Sequence, residues 1–134
     1  GEEEKLIAEL KYLLGMEIPV VASCNRVSAR DGHFVSCGVE VEKETSVEEV
    51  LRLMNIPTLD LPSSPDQVNN IIEDSPNRED HLWIGEGMTT TVGNIRVDGN
   101  IIRFDALSHN TVRGAAGGVI LLAEFAVKES YITK

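Results

Sequence analysis

The chain has 134 residues and a mass of 14.7 kDa, which suits one domain with a buried core and is too short for a second full domain. Twelve Lys and Arg residues against 22 Asp and Glu residues give a net charge of −10, which argues against binding of nucleic acid or an anionic membrane. The longest nearly apolar stretch, residues 115–126, is much shorter than the roughly 20 residues that span a bilayer. Cys24 and Cys37 suit neither a disulfide framework nor a zinc site, and we expect a cytoplasmic protein.

The first half of the chain predicts two helices and two strands. Apolar residues at helical spacing predict a helix over residues 2–14, and a β-rich run predicts a strand over residues 18–24. Alternation of apolar and polar residues predicts a strand over residues 33–42 with one buried face. A capping box at residues 46–49 opens a second helix that ends near Met54.

The second half predicts a hairpin followed by a helix. Residues 61–80 are ambiguous, because a short helix and a short strand both fit before a loop over residues 74–80. Residues 88–97 and 100–107 predict two strands joined by an Asp-Gly turn, and residues 114–128 predict a terminal helix. Because this order lacks a repeated βαβ unit, we expect an α+β fold with a mixed sheet.

Residues 23–33 form the densest polar cluster, and it lies between two predicted strands. Arg26 could bind a carboxylate through its bidentate guanidinium, and His33 could exchange protons near neutral pH. Taken alone, an Arg and a His in a loop are more often ordinary surface residues than catalysts. Cys24 lies close to Arg26, but it ends an apolar run and is not favoured as a nucleophile.

Two further polar segments allow both a functional and a structural interpretation. Glu2 to Glu4 and Lys5 could receive the cationic and anionic groups of a substrate, or could be a solvated helix start. Residues 108–111 follow the last predicted strand and could bind a ligand or cap the terminal helix. Neither zinc nor calcium spacing is present, and no metal site is predicted.

Five motifs in register resemble the aspartate-semialdehyde dehydrogenase family, particularly its archaeal and fungal branch. They are GEEEK at 1–5, SCNRV at 23–27, DGH at 31–33, GMT followed by VG at 87–93, and LSHNTVRGAAG at 107–117. The resemblance implies a mixed, largely antiparallel sheet with helices packed on it, like part of the C-terminal domain of glyceraldehyde-3-phosphate-dehydrogenase-like proteins.

The resemblance also implies a reaction on a small-molecule substrate. Family members interconvert L-aspartyl 4-phosphate and L-aspartate 4-semialdehyde plus phosphate, using NADP and a thioester on a cysteine. The matching residues are His33 as general acid/base, Arg26 for the α-carboxylate, Glu3 for the amino group with Glu2 as the alternative, Lys5 for phosphate, and Asn110 near the nicotinamide. Phe34, Asn94 and residues 77–83 depart from the family pattern.

The family's NADP-binding Rossmann domain and nucleophilic cysteine would both precede residue 1, and neither Cys24 nor Cys37 matches that nucleophile. We therefore expect residues 1–134 to be the C-terminal part of the catalytic and dimerisation domain, inactive alone and assembled as a homodimer or homotetramer. A non-catalytic dimerisation or binding module is one alternative, and an archaeal malonyl-CoA reductase is another. Glu3 argues against the reductase, because a malonyl thioester has no amino group to receive.

Overall fold

A four-stranded sheet forms the centre of the computed structural model, which describes residues 1–132. Its strands are β1 (His33–Glu40), β2 (Asn69–Ile71), β3 (Thr90–Asp98) and β4 (Ile101–Ser108), in the spatial order β1-β4-β3-β2. The β1–β4 and β3–β4 pairs are antiparallel, and β2 pairs with β3 in parallel. The predicted α+β fold with a mixed, largely antiparallel sheet is confirmed.

The predicted hairpin is formed by β3 and β4. Gly99 has a φ of 60°, which glycine adopts easily, and Asp98 pairs with Ile101 across the turn. The register shifts between Gly93 and Arg96, which marks a bulge in β3. At Gly93 an added Cβ would lie 2.0 Å from the carbonyl oxygen of Asp74, so only glycine fits there.

The first two predicted strands need correction. Residues 18–24 form no strand, and Val21 is fully exposed. A β-prone run needs a neighbouring backbone to pair with, and the four paired strands leave this segment outside the sheet. β1 ends two residues earlier than predicted, and the predicted burial of one face is wrong, because Val35 and Val39 are each 42% exposed on this edge strand.

Helices α1 (Glu2–Leu14) and α2 (Val47–Met54) confirm the two predictions in the first half. In α2 the side chain of Ser46 accepts a hydrogen bond from the Glu49 N–H, which is the predicted N-cap. Helix α1 buries none of its residues, and its Leu13 is 77% exposed. The apolar face of α1 is therefore largely uncovered within residues 1–132.

The ambiguous region contains both kinds of element. β2 takes the strand alternative, whereas α3 (Arg78–His81) forms where a loop was predicted. The side chain of Asn77 accepts a hydrogen bond from the Asp80 N–H and so caps this short helix. A 3₁₀ turn, Ile84–Gly87, follows it.

The terminal helix begins later than predicted. One turn of π-helix, Val112–Ala116, precedes α4 (Gly117–Lys128). Glu124 of α4 accepts hydrogen bonds from the backbone and side chain of Ser63, at 2.9 and 2.8 Å. The fully packed apolar core is small and consists of Val50, Leu82, Met88, Val92, Leu107 and Leu121.

Candidate active site

His33 begins β1 and is held there by backbone contacts. It pairs with Ser108 at the end of β4. The preceding residue, Gly32, donates its N–H to Oδ1 of Asn110 at 2.7 Å. The Asn110 side chain, predicted to lie near the cofactor, is thus bonded to the residue that precedes the predicted acid/base His33. The His33 side chain remains exposed.

The turn before His33 has two further anchors. Nε of Arg78 in α3 donates to the carbonyl oxygen of Asp31 at 2.6 Å. Gly32 has a φ of 110°, and a Cβ there would come within 3.3 Å of the buried Leu82 side chain. The positive φ and the closeness of Leu82 explain the glycine before the histidine, and the Arg78 hydrogen bond holds the backbone of the turn.

A second cluster lies at the start of α1. Oε1 of Glu3 accepts a hydrogen bond from the Cys24 N–H at 3.1 Å. This bond is the main cause that lowers the pKa of Glu3, so its carboxyl is ionised near neutral pH. Arg26 pairs through Nη2 with Oε1 of Glu2, not with Glu3.

Lys5 is exposed on α1, and its Nζ lies 3.6 Å from Oε1 of Glu9 on the next helical turn. Neither Arg26 nor His33 contacts it. An exposed ion pair of this kind is weak, typically about 0.3–0.5 kcal/mol, and leaves the ammonium group free to exchange partners. The structure therefore brings Glu2, Glu3 and Arg26 together and bonds Asn110 to the turn that carries His33. Lys5 is near the Glu2–Glu3–Arg26 cluster only through its place in α1.

Neither cysteine has the environment of an activated thiolate. Desolvation, followed by the negative charges of Glu3 and Glu2, raises the pKa of the Cys24 thiol. Burial and the charge of Asp105 raise the pKa of Cys37. Both thiols are protonated near neutral pH, which is the opposite of the condition for a nucleophile.

Two residues near His33 could not be identified from the sequence. Arg78 lies in a segment that departs from the family pattern, so no signal marks it. His109 lies inside a marked segment, but nothing in the sequence shows that it is buried to 1% exposure. Within residues 1–132 there is no group of three His, Cys, Asp or Glu side chains that could hold a metal ion, and none of the helices there is long and apolar enough to cross a bilayer.

Comparison with known proteins decides the family. The family model described as "semialdehyde dehydrogenase, dimerisation domain" matches residues 1–113. The chain belongs to this family. The predicted membership is confirmed, and the match ends just before α4.

The relatives of this chain carry two different enzyme names. It is 42% identical to an aspartate-semialdehyde dehydrogenase of Archaeoglobus fulgidus, over 98% of this chain and 42% of the relative. A malonyl CoA reductase (NADP) of Metallosphaera sedula is 34% identical over 88% of this chain and 36% of that protein.

A solved structure of aspartate semialdehyde dehydrogenase with NADP from Candida albicans superposes with a TM-score of 0.82 at 32% identity. The match covers 98% of this chain and 44% of that chain. The chain spans less than half the length of the relatives that it matches.

Proposed function

We propose that this chain supplies the acid/base and substrate-binding residues of an NADP-dependent aspartate-semialdehyde dehydrogenase. The reaction converts L-aspartate 4-semialdehyde, phosphate and NADP into L-aspartyl 4-phosphate and NADPH, and runs in the reverse direction in biosynthesis of amino acids. The observation that carries the proposal is the ion pair of Arg26 and Glu2, which lies beside the ionised Glu3. This arrangement is complementary to an α-amino acid, which carries one carboxylate and one ammonium group.

Arg26 would hold the α-carboxylate of the substrate. Its side chain is 85% exposed and pairs through Nη2 with Glu2 alone among residues 1–132, so a substrate carboxylate can approach its other donors. The substrate ammonium would go to an acidic residue of α1. Glu3 is the residue expected from the sequence, and the pairing with Arg26 favours Glu2, because the two charged groups of one small substrate must be received close together.

His33 would act as the general acid/base. Its imidazole is exposed at the first position of β1, while its backbone is fixed through Ser108 and the Gly32–Asn110 bond. A fixed backbone with a free ring suits a residue that accepts a proton from the reacting group in one direction and returns it in the other. Lys5 would bind the phosphate, since its exposed ammonium group makes one weak ion pair within the described part of the chain, with Glu9.

Asn110 fits a role beside the nicotinamide. Its Oδ1 accepts the Gly32 N–H, and no acceptor among residues 1–132 takes its exposed side-chain NH₂, which can donate to a carboxamide oxygen. The nicotinamide supplies hydride transfer when NADP is bound. No other described residue is assigned to the cofactor.

We assign the NADP-binding domain and the nucleophilic cysteine to a part of the longer protein outside residues 1–134. The raised pKa values of Cys24 and Cys37 support this assignment, as does the small share of each relative that the chain spans. The chain alone would then be inactive. We further propose a homodimer or homotetramer in the cytoplasm, with its largely uncovered α1 face in contact with another part of the assembly.

The test uses the complete enzyme that contains this chain, with NADPH formation as the readout. Arg26→Lys should raise the KM for L-aspartate semialdehyde about 10- to 100-fold, because the bidentate contact with the carboxylate is lost. Arg52→Lys is the matched control, because Arg52 pairs with Glu49 on α2 and serves no substrate. An unchanged KM in Arg26→Lys would contradict the proposal.

The same enzyme distinguishes the malonyl-CoA reductase alternative, which the relative from Metallosphaera sedula makes a specific competitor. Assays with malonyl-CoA and NADPH run beside those with L-aspartate semialdehyde. We expect turnover of the amino acid only. Efficient reduction of malonyl-CoA without activity on the semialdehyde would establish the alternative.

A further inference from the structure

His109 directly follows β4, and its side chain is among the most deeply buried in the structure. The side chain is 1% exposed, and its ring centroid lies 4.3 Å from that of Trp83 at an interplanar angle of 66°. On another side the ring meets the backbone of Gly87: a Cβ at Gly87 would lie 3.2–3.3 Å from three atoms of the histidine. The ring is therefore confined by an aromatic edge and a glycine.

The polar atoms of the ring are used unevenly. Nδ1 lies 3.2 Å from Oγ1 of Thr111, whereas Nε2 is buried without a hydrogen-bond partner among residues 1–132. A buried polar atom without a hydrogen bond lowers the stability of the fold. The fold tolerates that cost in one of its most buried side chains, which indicates that the shape and placement of this ring matter.

The backbone around His109 leads directly to the candidate active site. Ser108 precedes it and pairs with His33, and Asn110 follows it and accepts the Gly32 N–H. The carbonyl of His109 also accepts the N–H of Gly114, at 3.1 Å, where the chain turns into the π-helical turn. Any rotation of the backbone at residue 109 would move both partners of the turn that carries His33.

We propose that His109 is a positioning residue: its ring, confined between Trp83 and Gly87, fixes the end of β4 and through it the positions of Asn110 and His33. The ring itself contacts no substrate. This inference rests on the proposed function, because His33 must act in the reaction for its position to affect the rate.

The first test compares two variants in the complete enzyme. His109→Ala removes the ring and should lower kcat about 10- to 100-fold, the usual effect of displacing a catalytic group by about 1 Å. His109→Phe keeps a ring of similar shape and should keep kcat within about threefold of the wild type. The KM for L-aspartate semialdehyde should change less than twofold in both variants, because Arg26 and the acidic residues of α1 do not contact the His109 ring.

A purely structural role gives a different pattern. Loss of stability would lower the amount of folded enzyme without changing kcat per active site, which active-site titration measures. Equal loss of kcat in His109→Ala and His109→Phe would also overturn the proposal, because it would give the role to a ring nitrogen. If His33→Asn has no effect on kcat, the proposed function fails; if His33→Asn is slow but His109→Ala is normal, only this inference fails.

A second pair of variants tests the same idea without changing His109 and applies even if His109→Ala does not fold. Gly87→Ala and Gly99→Ala each add a Cβ at a positive φ, 82° and 60° respectively. Only the Cβ at residue 87 meets the histidine, whereas nothing lies within 4 Å of the one at residue 99. We expect a loss of kcat of about tenfold in Gly87→Ala alone, and equal kcat in the two variants would refute the proposal.

Discussion

Glu2 and Glu3 are adjacent carboxylates with different partners, and we propose that they have different roles. Glu3 is fixed by a backbone hydrogen bond from Cys24, whereas Glu2 pairs with the Arg26 side chain. The sequence marks both as candidates for the substrate amino group but cannot separate them, because their partners lie more than 20 residues away along the chain. Only the folded chain shows which carboxylate faces the guanidinium.

Isosteric variants of the two residues in the complete enzyme separate these roles. Glu2→Gln should raise the KM for L-aspartate semialdehyde by about tenfold or more, because the substrate ammonium loses a charged acceptor. Glu3→Gln should have a smaller effect, since its amide oxygen can still accept the Cys24 N–H. Steady-state kinetics at saturating phosphate and NADP measure both, and the reverse order of effects would return the role to Glu3.

At the scale of elements, signals between residues close in the chain predict well. The Ser46 N-cap of α2 and the Asp-Gly turn of the β3–β4 hairpin each involve residues within four positions, and both are found. The segment 18–24 fails because strand formation depends on a partner that sequence alone does not supply. The exposure of β1 likewise depends on its place at the sheet edge, which β propensity does not encode.

The Asp105 carboxylate links β4 to three other segments of the chain through hydrogen bonds. This residue of β4 is 8% exposed. Its carboxylate accepts hydrogen bonds from Ser36 of β1, Asn94 of β3 and Ser75 of the loop between β2 and α3, at 2.6, 2.8 and 2.9 Å. Burial acts to raise the pKa of Asp105, but these hydrogen bonds outweigh it and hold the pKa below its usual value. The ionised carboxylate is therefore the form that stabilises the fold.

Asp105→Asn should lower the free energy of unfolding by about 1–3 kcal/mol at pH 7, because an amide cannot accept all three bonds. The folded-state pKa is depressed, so the stabilisation is present above the unfolded value of about 4 and is lost as the pH falls through the lower folded value. The difference between wild type and variant should then shrink below about pH 4. Urea unfolding from pH 7 to pH 2 measures it.

The exposed Asp66 provides the control for this experiment, and Asp66→Asn should change stability by less than about 0.5 kcal/mol. A pH-independent difference between Asp105→Asn and the wild type would contradict the role given to the ionised carboxylate.

At the scale of the whole molecule, the chain exposes more surface than its size requires. Its accessible area is 9925 Å², compared with about 6,900 Å² for a compact monomer of this mass. Large apolar side chains contribute to the excess at both ends of the chain, including Leu13 of α1 at 77% and Val119 of α4 at 65% exposure. Exposed apolar surface of this extent marks contact with other protein.

The isolated chain should therefore self-associate. Sedimentation velocity over a range of concentrations should give a dimer or a larger species, because association buries the uncovered apolar side chains. A single monomeric species at the highest concentration would contradict this expectation and would leave another part of the longer protein as the occupant of that surface.

The most direct measurement is NADPH formation by the complete enzyme from L-aspartate 4-semialdehyde, phosphate and NADP, with His33→Asn compared with Glu40→Gln. Both variants replace a titratable side chain on β1, one at each end of the strand. If His33 is the general acid/base, kcat falls about 10²- to 10⁴-fold in His33→Asn and stays within about threefold in Glu40→Gln. Wild-type turnover in His33→Asn, or the absence of phosphate-dependent NADPH formation in the unmodified enzyme, would contradict the function proposed for this chain.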